Sequence, residues 1–369
     1  MTTATATMRQ ISNANECIAI DLPEGYHVLG GNEEGTAFQL ENEVLPVSTV
    51  IKLYPDEVFA SPEAVLKENL ENLNIKADET ETFFWRRQAC ALSNYIGNIG
   101  QYISGYALAV TLPEKQGMLM VMSWTDPNTF NNGGATFILS TLDSLIIDYG
   151  GFYDAGPITT YAYSLSGERT TIELDINGKH IQTSLAKEDK EASEYLIERE
   201  YIVLTMYASS KLWQEAWQRY YRMIFKDSFF RMQKPAFDIY NAIAPQCSDE
   251  TDLAQKLLTW MQNCTYERQK TASDFASLPS MLLGGESDCD SRSLMLAVLL
   301  KHMNMDSIFF ISREFSHAVA GLISSHPGHG FDVDGKKYLI GETTAKGLTW
   351  GMIAQEQDNQ KKWIPIVLP

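Results

Sequence analysis

The chain has 369 residues, 44% of them hydrophobic and 21% charged, with a formal net charge of −18 and a pI near 4.8. That length holds two or three domains, each able to bury its own core. So acidic a chain is repelled by phosphate backbones, and its basic residues form no cluster that offsets this, which argues against nucleic acid as a partner.

No stretch approaches the roughly 18 apolar residues that span a bilayer. The longest such run is Leu294 to Leu300. Met1 to Gln10 is small and polar, without the basic and apolar regions of a signal peptide. Two readings stay open: a cytoplasmic protein, or an exported one whose signal has been removed. The cysteines are Cys17, Cys90, Cys247, Cys264 and Cys289. They form no CxxC pair, so a zinc site is not indicated. Cys247 and Cys264 read as unpaired, half-buried thiols rather than a bridge, and cysteine usage leaves the redox compartment undecided.

In chain order, strand-like stretches come first, at Cys17 to Leu22, Thr36 to Leu40 and Val47 to Leu53. Ser61 then caps a helix with Pro62 at its first position. Its buried face is Val65, Leu66, Leu70 and Leu73. Further strands are expected around Thr82 to Ala91, Tyr102 to Thr111 and Gly117 to Trp124, and a helix over Gly134 to Ile147. This order predicts an α+β domain over residues 1–150, its sheet covered by helices on one face. On "DLPEGYHVLGG" and "STLDSLIID" the segment resembles the small sandwich domain of the photosystem II P-subunit type.

Gly150 and Gly151 mark the expected boundary. Residues 151–232 read as a middle segment of hairpin and helices, packing on the C-terminal core. Asn177-Gly178, between two alternating runs, predicts a tight hairpin. Helices follow over Lys187 to Tyr207 and Lys211 to Asp227. The second carries Trp213, Trp217, Tyr220, Tyr221 and Met223, an aromatic stripe read as core packing.

Residues 233–369 carry the chemistry. A helix opens at Ser248 to Glu250 and runs through Leu253, Leu257, Leu258 and Met261. Gly284 and Gly285 break the chain ahead of Cys289. The helix that follows is apolar nearly all round, from Leu294 to Leu300, so it is buried on every side with Cys289 at its N-terminus. A helix N-terminus offers free N–H groups and partial positive charge, which favour thiolate and can stabilise an oxyanion. The flanking Asp288 and Asp290 oppose the thiolate, and are expected to point away or to cap the helix. "SIFFIS" reads as a strand, and His317 starts the next. "KKYLIGETT" reads as a strand returning antiparallel to it, which makes His317 and Glu342 cross-strand neighbours. That is the nucleophile, base and orienting-acid logic of catalytic triads. His326, His329, Asp332 and Asp334 lack an established ligand spacing and read as a solvated loop.

"SDCDSRSLMLAVLLKHMNMDSIFFIS", "SHAVAGL" and "KKYLIGETT" resemble, in order, the three motifs of the transglutaminase-like superfamily. The resemblance implies a papain-like core with Cys289 as nucleophile, His317 as base and Glu342 orienting the base, Glu standing where the family usually has Asp. It also implies a side-chain donor to the oxyanion hole, for which Tyr266 and Gln262 are the candidates. The fold expected is therefore α+β, a papain/transglutaminase-like C-terminal domain preceded by a sandwich-like domain and the hairpin-plus-helices segment. The function expected is a thiol hydrolase, a cysteine peptidase or amidase, cutting a peptide or isopeptide bond through a thioester. It needs no cofactor and takes a protein or peptide substrate. The alternatives are acyl transfer to an amine, as in a protein-glutamine transglutaminase, or an inactive scaffold of the same fold.

Overall fold

The computed structural model describes residues 18–267 and 275–369. The expectations for Met1 to Gln10 and for Cys17 lie outside the described residues. The fold is α+β, and its sheets are antiparallel throughout. Among the described residues, no helix is long and apolar enough to cross a membrane. The chain divides into two compact units. One holds the residues up to Ala162 together with Arg199–Arg219, and the other holds Tyr163–Glu198 with Tyr220–Pro369. Gly150 and Gly151 thus lie within the first unit, and the 151–232 segment contributes to both.

The first unit is built on seven strands. From edge to edge they are Tyr26–Gly31, Ala37–Asn42, Ser48–Tyr54, Met118–Thr125, Tyr102–Thr111, Gln88–Asn98 and Lys76–Trp85. Ser61 caps the helix Pro62–Asn72 as its sequence signals, its hydroxyl accepting from the Ala64 N–H at 3.3 Å. Val65, Leu66 and Leu70 of that helix pack on Ala91, Tyr95, Ala107 and Ala109, one face of the sheet. The helix Ala135–Asp143 packs Phe137, Ile138 and Leu142 on Leu92, Leu108, Val110 and Val121, the other face. Helices therefore cover both faces, not one. The sign is the unbroken apolar run Ala107 to Val110, since a strand buried on both sides does not alternate.

The single strand expected over Thr82 to Ala91 is instead two strands joined at Arg86 and Arg87, with Trp85 paired to Gln88. Both arginines have left-handed φ, 51° and 64°. Such a two-residue turn normally calls for Gly, Asn or Asp. Here Arg86 is anchored by Asp148 at 2.8 Å and Asp154 at 2.7 Å. The tertiary ion pairs hold a turn that the local residues do not announce.

A buried ionic network explains why Arg199–Arg219 belongs to this unit. Arg199 bonds Asp143 and Glu200, and Arg219 bonds Glu200 at 2.9 Å. Asp143 also accepts from the N–H groups of Ile158 and Thr159, and Glu200 from the Ser140 hydroxyl. All four charged side chains are almost wholly inaccessible, and each is paired, as burial of a charge requires.

In the second unit, Arg169–Ile176 and Lys179–Ala186 form the expected hairpin about Asn177 and Gly178, both with left-handed φ. The helices Asp189–Met206 and Trp213–Arg231 follow, of which this unit holds the residues up to Glu198 and those from Tyr220, and then Gln233–Ile243, which sequence reading does not anticipate. The second sheet has five strands, in the order Gly330–Val333, Lys336–Gly341, His317–Ile323, Ser307–Ser312 and Ile364–Ile366. The segment read as a solvated loop with His326 and Asp332 therefore contains an edge strand, paired with Lys336–Gly341 through an Asp334-Gly335 turn. The helix Cys289–His302 packs on the strands Ser307–Ser312 and His317–Ile323. Cys90, Cys247, Cys264 and Cys289 are free thiols.

Candidate active site

Cys289 is the first residue of its helix. Asp288 is the N-cap: its Oδ1 accepts from the Ser291 N–H at 2.7 Å, while the Ser291 hydroxyl accepts from the Asp288 N–H at 2.9 Å. This reciprocal capping holds the entry to the helix. Leu294 to Leu300 are completely buried, so the helix is clamped around its circumference. The flanking aspartates are expected to point away or to cap the helix, and Asp288 caps it. Asp290 does not. Its Oδ1 accepts from the Cys289 thiol at 3.1 Å, and its Oδ2 takes the Tyr221 hydroxyl.

This environment opposes thiolate. Burial raises the Cys289 pKa most, the charges of Asp290 and Asp288 raise it further, and the Ala318 N–H lowers it only in part. The helix N-terminus therefore does not activate Cys289 in this arrangement, because a thiol 3% exposed and bonded to a carboxylate loses more by ionising than the helix end returns. The helix that Cys289 heads nevertheless packs on the His317 strand.

His317 opens that strand opposite Ser312. The residue before it, Ser316, has a left-handed φ of 46°. The imidazole Nε2 bonds Glu342 Oε2 at 2.7 Å. Glu342 Oε1 accepts from the Thr344 N–H at 2.7 Å and from its hydroxyl at 2.6 Å. Burial raises the Glu342 pKa, but the His317 hydrogen bond and charge and the two Thr344 bonds outweigh it and bring it to about 2. An ionised carboxylate only accepts, so the proton of this pair sits on Nε2. Nδ1 is the ring nitrogen that this bond leaves available. The ring lies edge-on to Trp363, with centroids 6.2 Å apart. Among the described residues, no hydrogen bond joins Cys289 to His317.

The cross-strand relation differs from the one read in sequence. The ladder ends at Ala320 opposite Gly341. One further step sets Glu342 across from Val319, so it is diagonal to His317 rather than opposite. Diagonal positions stand roughly 7–8 Å apart, within reach of a long side chain. The extra methylene of Glu suits that distance.

Gln262, a candidate oxyanion donor, is buried, and both of its N–H bonds go to carbonyls: Glu342 O at 2.9 Å and Leu348 O at 3.0 Å. Its Oε1 accepts from the Gly347 N–H at 3.1 Å. Gln255, two turns earlier, bonds Leu348 O and the Trp350 N–H in the same manner. These two glutamines hold the loop after Glu342. Tyr266 is 49% exposed, forms a parallel bridge with Ser287, and lies under the Arg292 guanidinium.

Arg292 is a further residue that orders this site. Its guanidinium is buried and bonds Ser287 Oγ, Thr343 O and Cys264 O, tying the Cys289 helix to the residue after Glu342. A cationic residue three positions beyond the cysteine, just ahead of the apolar run Leu294 to Leu300, is the signal that marks it. Tyr221 was read only as core. A buried tyrosine hydroxyl needs a partner, and that rule points towards Asp290. Among the described residues, no group of three or more His, Cys, Asp or Glu side chains is arranged to hold a metal ion.

No protein-family model matches the chain, and no curated protein matches it. Among solved structures, it is similar to cyanobacterial PsbP (CyanoP) from Synechocystis sp. PCC 6803, with 13% identity over 37% of this chain and 95% of that one, at a TM-score of 0.29. It is also similar to PA94 from Pseudomonas aeruginosa, a protein of unknown function described as a putative regulator, with 14% identity over 34% of this chain and 82% of that one, at a TM-score of 0.23. Likeness at this level carries no argument about fold or function.

Proposed function

We propose that the C-terminal third of the chain is a transglutaminase-like thiol domain that cleaves a peptide or isopeptide bond through an acyl-thioester on Cys289. The observation that carries this reading is the 2.7 Å bond between His317 and the anchored Glu342 carboxylate, with His317 opening a strand packed against the helix that Cys289 heads. The order helix with cysteine, strand with histidine, strand with carboxylate supports it as well. In the reaction His317 Nδ1 takes the thiol proton as sulfur attacks the carbonyl carbon. The Cys289 N–H, at the head of its helix, faces the developing oxyanion. As the C–N bond breaks, the imidazolium returns the proton to the leaving amine. Water then attacks the thioester, again with His317 as base, and releases acid and thiol. Replacing water by an amine gives transglutamination.

The second reading is a scaffold without activity, and the burial of Cys289 favours it. The two are separated with p-nitrophenyl acyl esters and a peptide panel. A burst of p-nitrophenol with an acyl adduct on the Cys289 peptide is expected. It is absent in Cys289→Ala and slowed about 100-fold or more in His317→Ala. Absence of any adduct in the wild type, or equal rates in His317→Ala, sinks the enzyme reading.

A further inference from the structure

The residue that the Cys289 thiol bonds to is not the proposed base but its own neighbour. Its hydrogen bond runs to Asp290 Oδ1, and the opposite oxygen of that carboxylate takes the Tyr221 hydroxyl. Tyr221 is buried and held by rings on several sides: Tyr220 and Phe309 at 4.9 Å, and Phe275 at 6.1 Å. Burial, then the charge of Asp290, raises its pKa, so the hydroxyl keeps its proton and remains a donor to Asp290. The carboxylate is thus fixed from the side of the core, while the cysteine needs only one torsion to turn.

We infer that Asp290, pinned by Tyr221, is a positioning residue that latches Cys289 in a resting orientation, and that the thiol must turn off Asp290 before it can give its proton to His317. The inference rests on the thiol-enzyme reading above and adds a regulatory step to the same site. An ionised acceptor at the sulfur also suppresses stray nucleophilic reactions of the resting thiol, because a carboxylate stabilises S–H and repels S⁻.

The test follows the rate of iodoacetamide alkylation at the Cys289 peptide by mass spectrometry in the full-length protein, from pH 6 to 10. Wild type, Asp290→Asn, Tyr221→Phe, His317→Ala and the double variant Asp290→Asn/His317→Ala are compared, with Cys264 as internal reference. Asp290→Asn is expected to alkylate at least tenfold faster at pH 7 and to move the inflection of the profile to lower pH. Tyr221→Phe, which keeps the ring packing, shifts both in the same direction by less. No gain in Asp290→Asn, or a gain that Cys264 shares without a moved inflection, overturns the latch. The fate of the triad reading is read separately. Loss of the gain in the double variant supports both. A gain that persists there keeps the latch and removes His317 as base. A slower His317→Ala with no gain in Asp290→Asn keeps the base and removes the latch.

Discussion

Single side chains here do more than their types suggest. Glu342 is the clearest case, because its three hydrogen bonds hold it ionised inside the unit. Its pKa falls from an ordinary 4.5 to about 2, so its contribution to stability is complete above pH 4.5 and is lost as pH falls from there towards 2. A shift of that size corresponds to about 3 kcal/mol as an upper bound. Glu342→Gln should lower the urea midpoint at pH 7, and its difference from wild type should shrink steadily between pH 4.5 and 2.5. A difference independent of pH across that window would show that packing, not charge, explains the loss. Cys289, His317 and Glu342 were all nameable from sequence, since each sits at the mouth of a recognisable element. Asp290 was nameable only as an unfavourable neighbour. Its bonds to Cys289 and Tyr221 depend on a helix 69 positions upstream, a separation at which sequence carries no contact information.

Elements were legible where their periodicity and caps agree. Ser61-Pro62, Asn177-Gly178 and the fully buried "SIFFIS" strand all fold as their residues dictate. The Arg86-Arg87 turn was not, because its left-handed backbone is stabilised from outside by Asp148 and Asp154. The diagonal register of Glu342 was also hidden, since a strand pattern gives the face of a residue but not its partner. The loop after Glu342 shows the same dependence: Gln255 and Gln262, seven positions apart on one helix face, satisfy its backbone groups. Gln262→Ala removes a donor from the Glu342 carbonyl and an acceptor from the Gly347 N–H, and leaves Leu348 O with Gln255 alone of the two glutamines. It should destabilise the protein by about 2 kcal/mol in denaturant titration. It should also slow acylation more than it weakens substrate binding, because it loosens the support of the His317 partner. A variant as stable as wild type would mean that water or the loop itself replaces the amide.

At the scale of the molecule, the discontinuous first unit constrains how the chain can be cut. Val203, Tyr207 and Ala216 complete the hydrophobic core built by Leu40, Phe137 and Leu142, and Arg199 and Arg219 neutralise Asp143 and Glu200. Deleting residues up to Gly150 exposes that apolar face and leaves two buried arginines without Asp143 and the Ser140 carbonyl. The truncated chain should be insoluble or show a collapsed near-UV circular dichroism signal, whereas a soluble, cooperatively melting fragment would show that 199–219 folds without its partner strands. The sequence by itself determined the α+β class, the tight Asn-Gly hairpin, the fully buried helix behind Cys289 and the candidate trio, because propensity, capping and hydrophobic period are local properties. Only the tertiary structure decided which residues share a unit, that helices cover both faces of the first sheet, and that Glu342 reaches His317 diagonally. It alone decided, too, that the Cys289 thiol rests on Asp290, because burial and hydrogen-bond choice are settled by neighbours that lie far away along the chain.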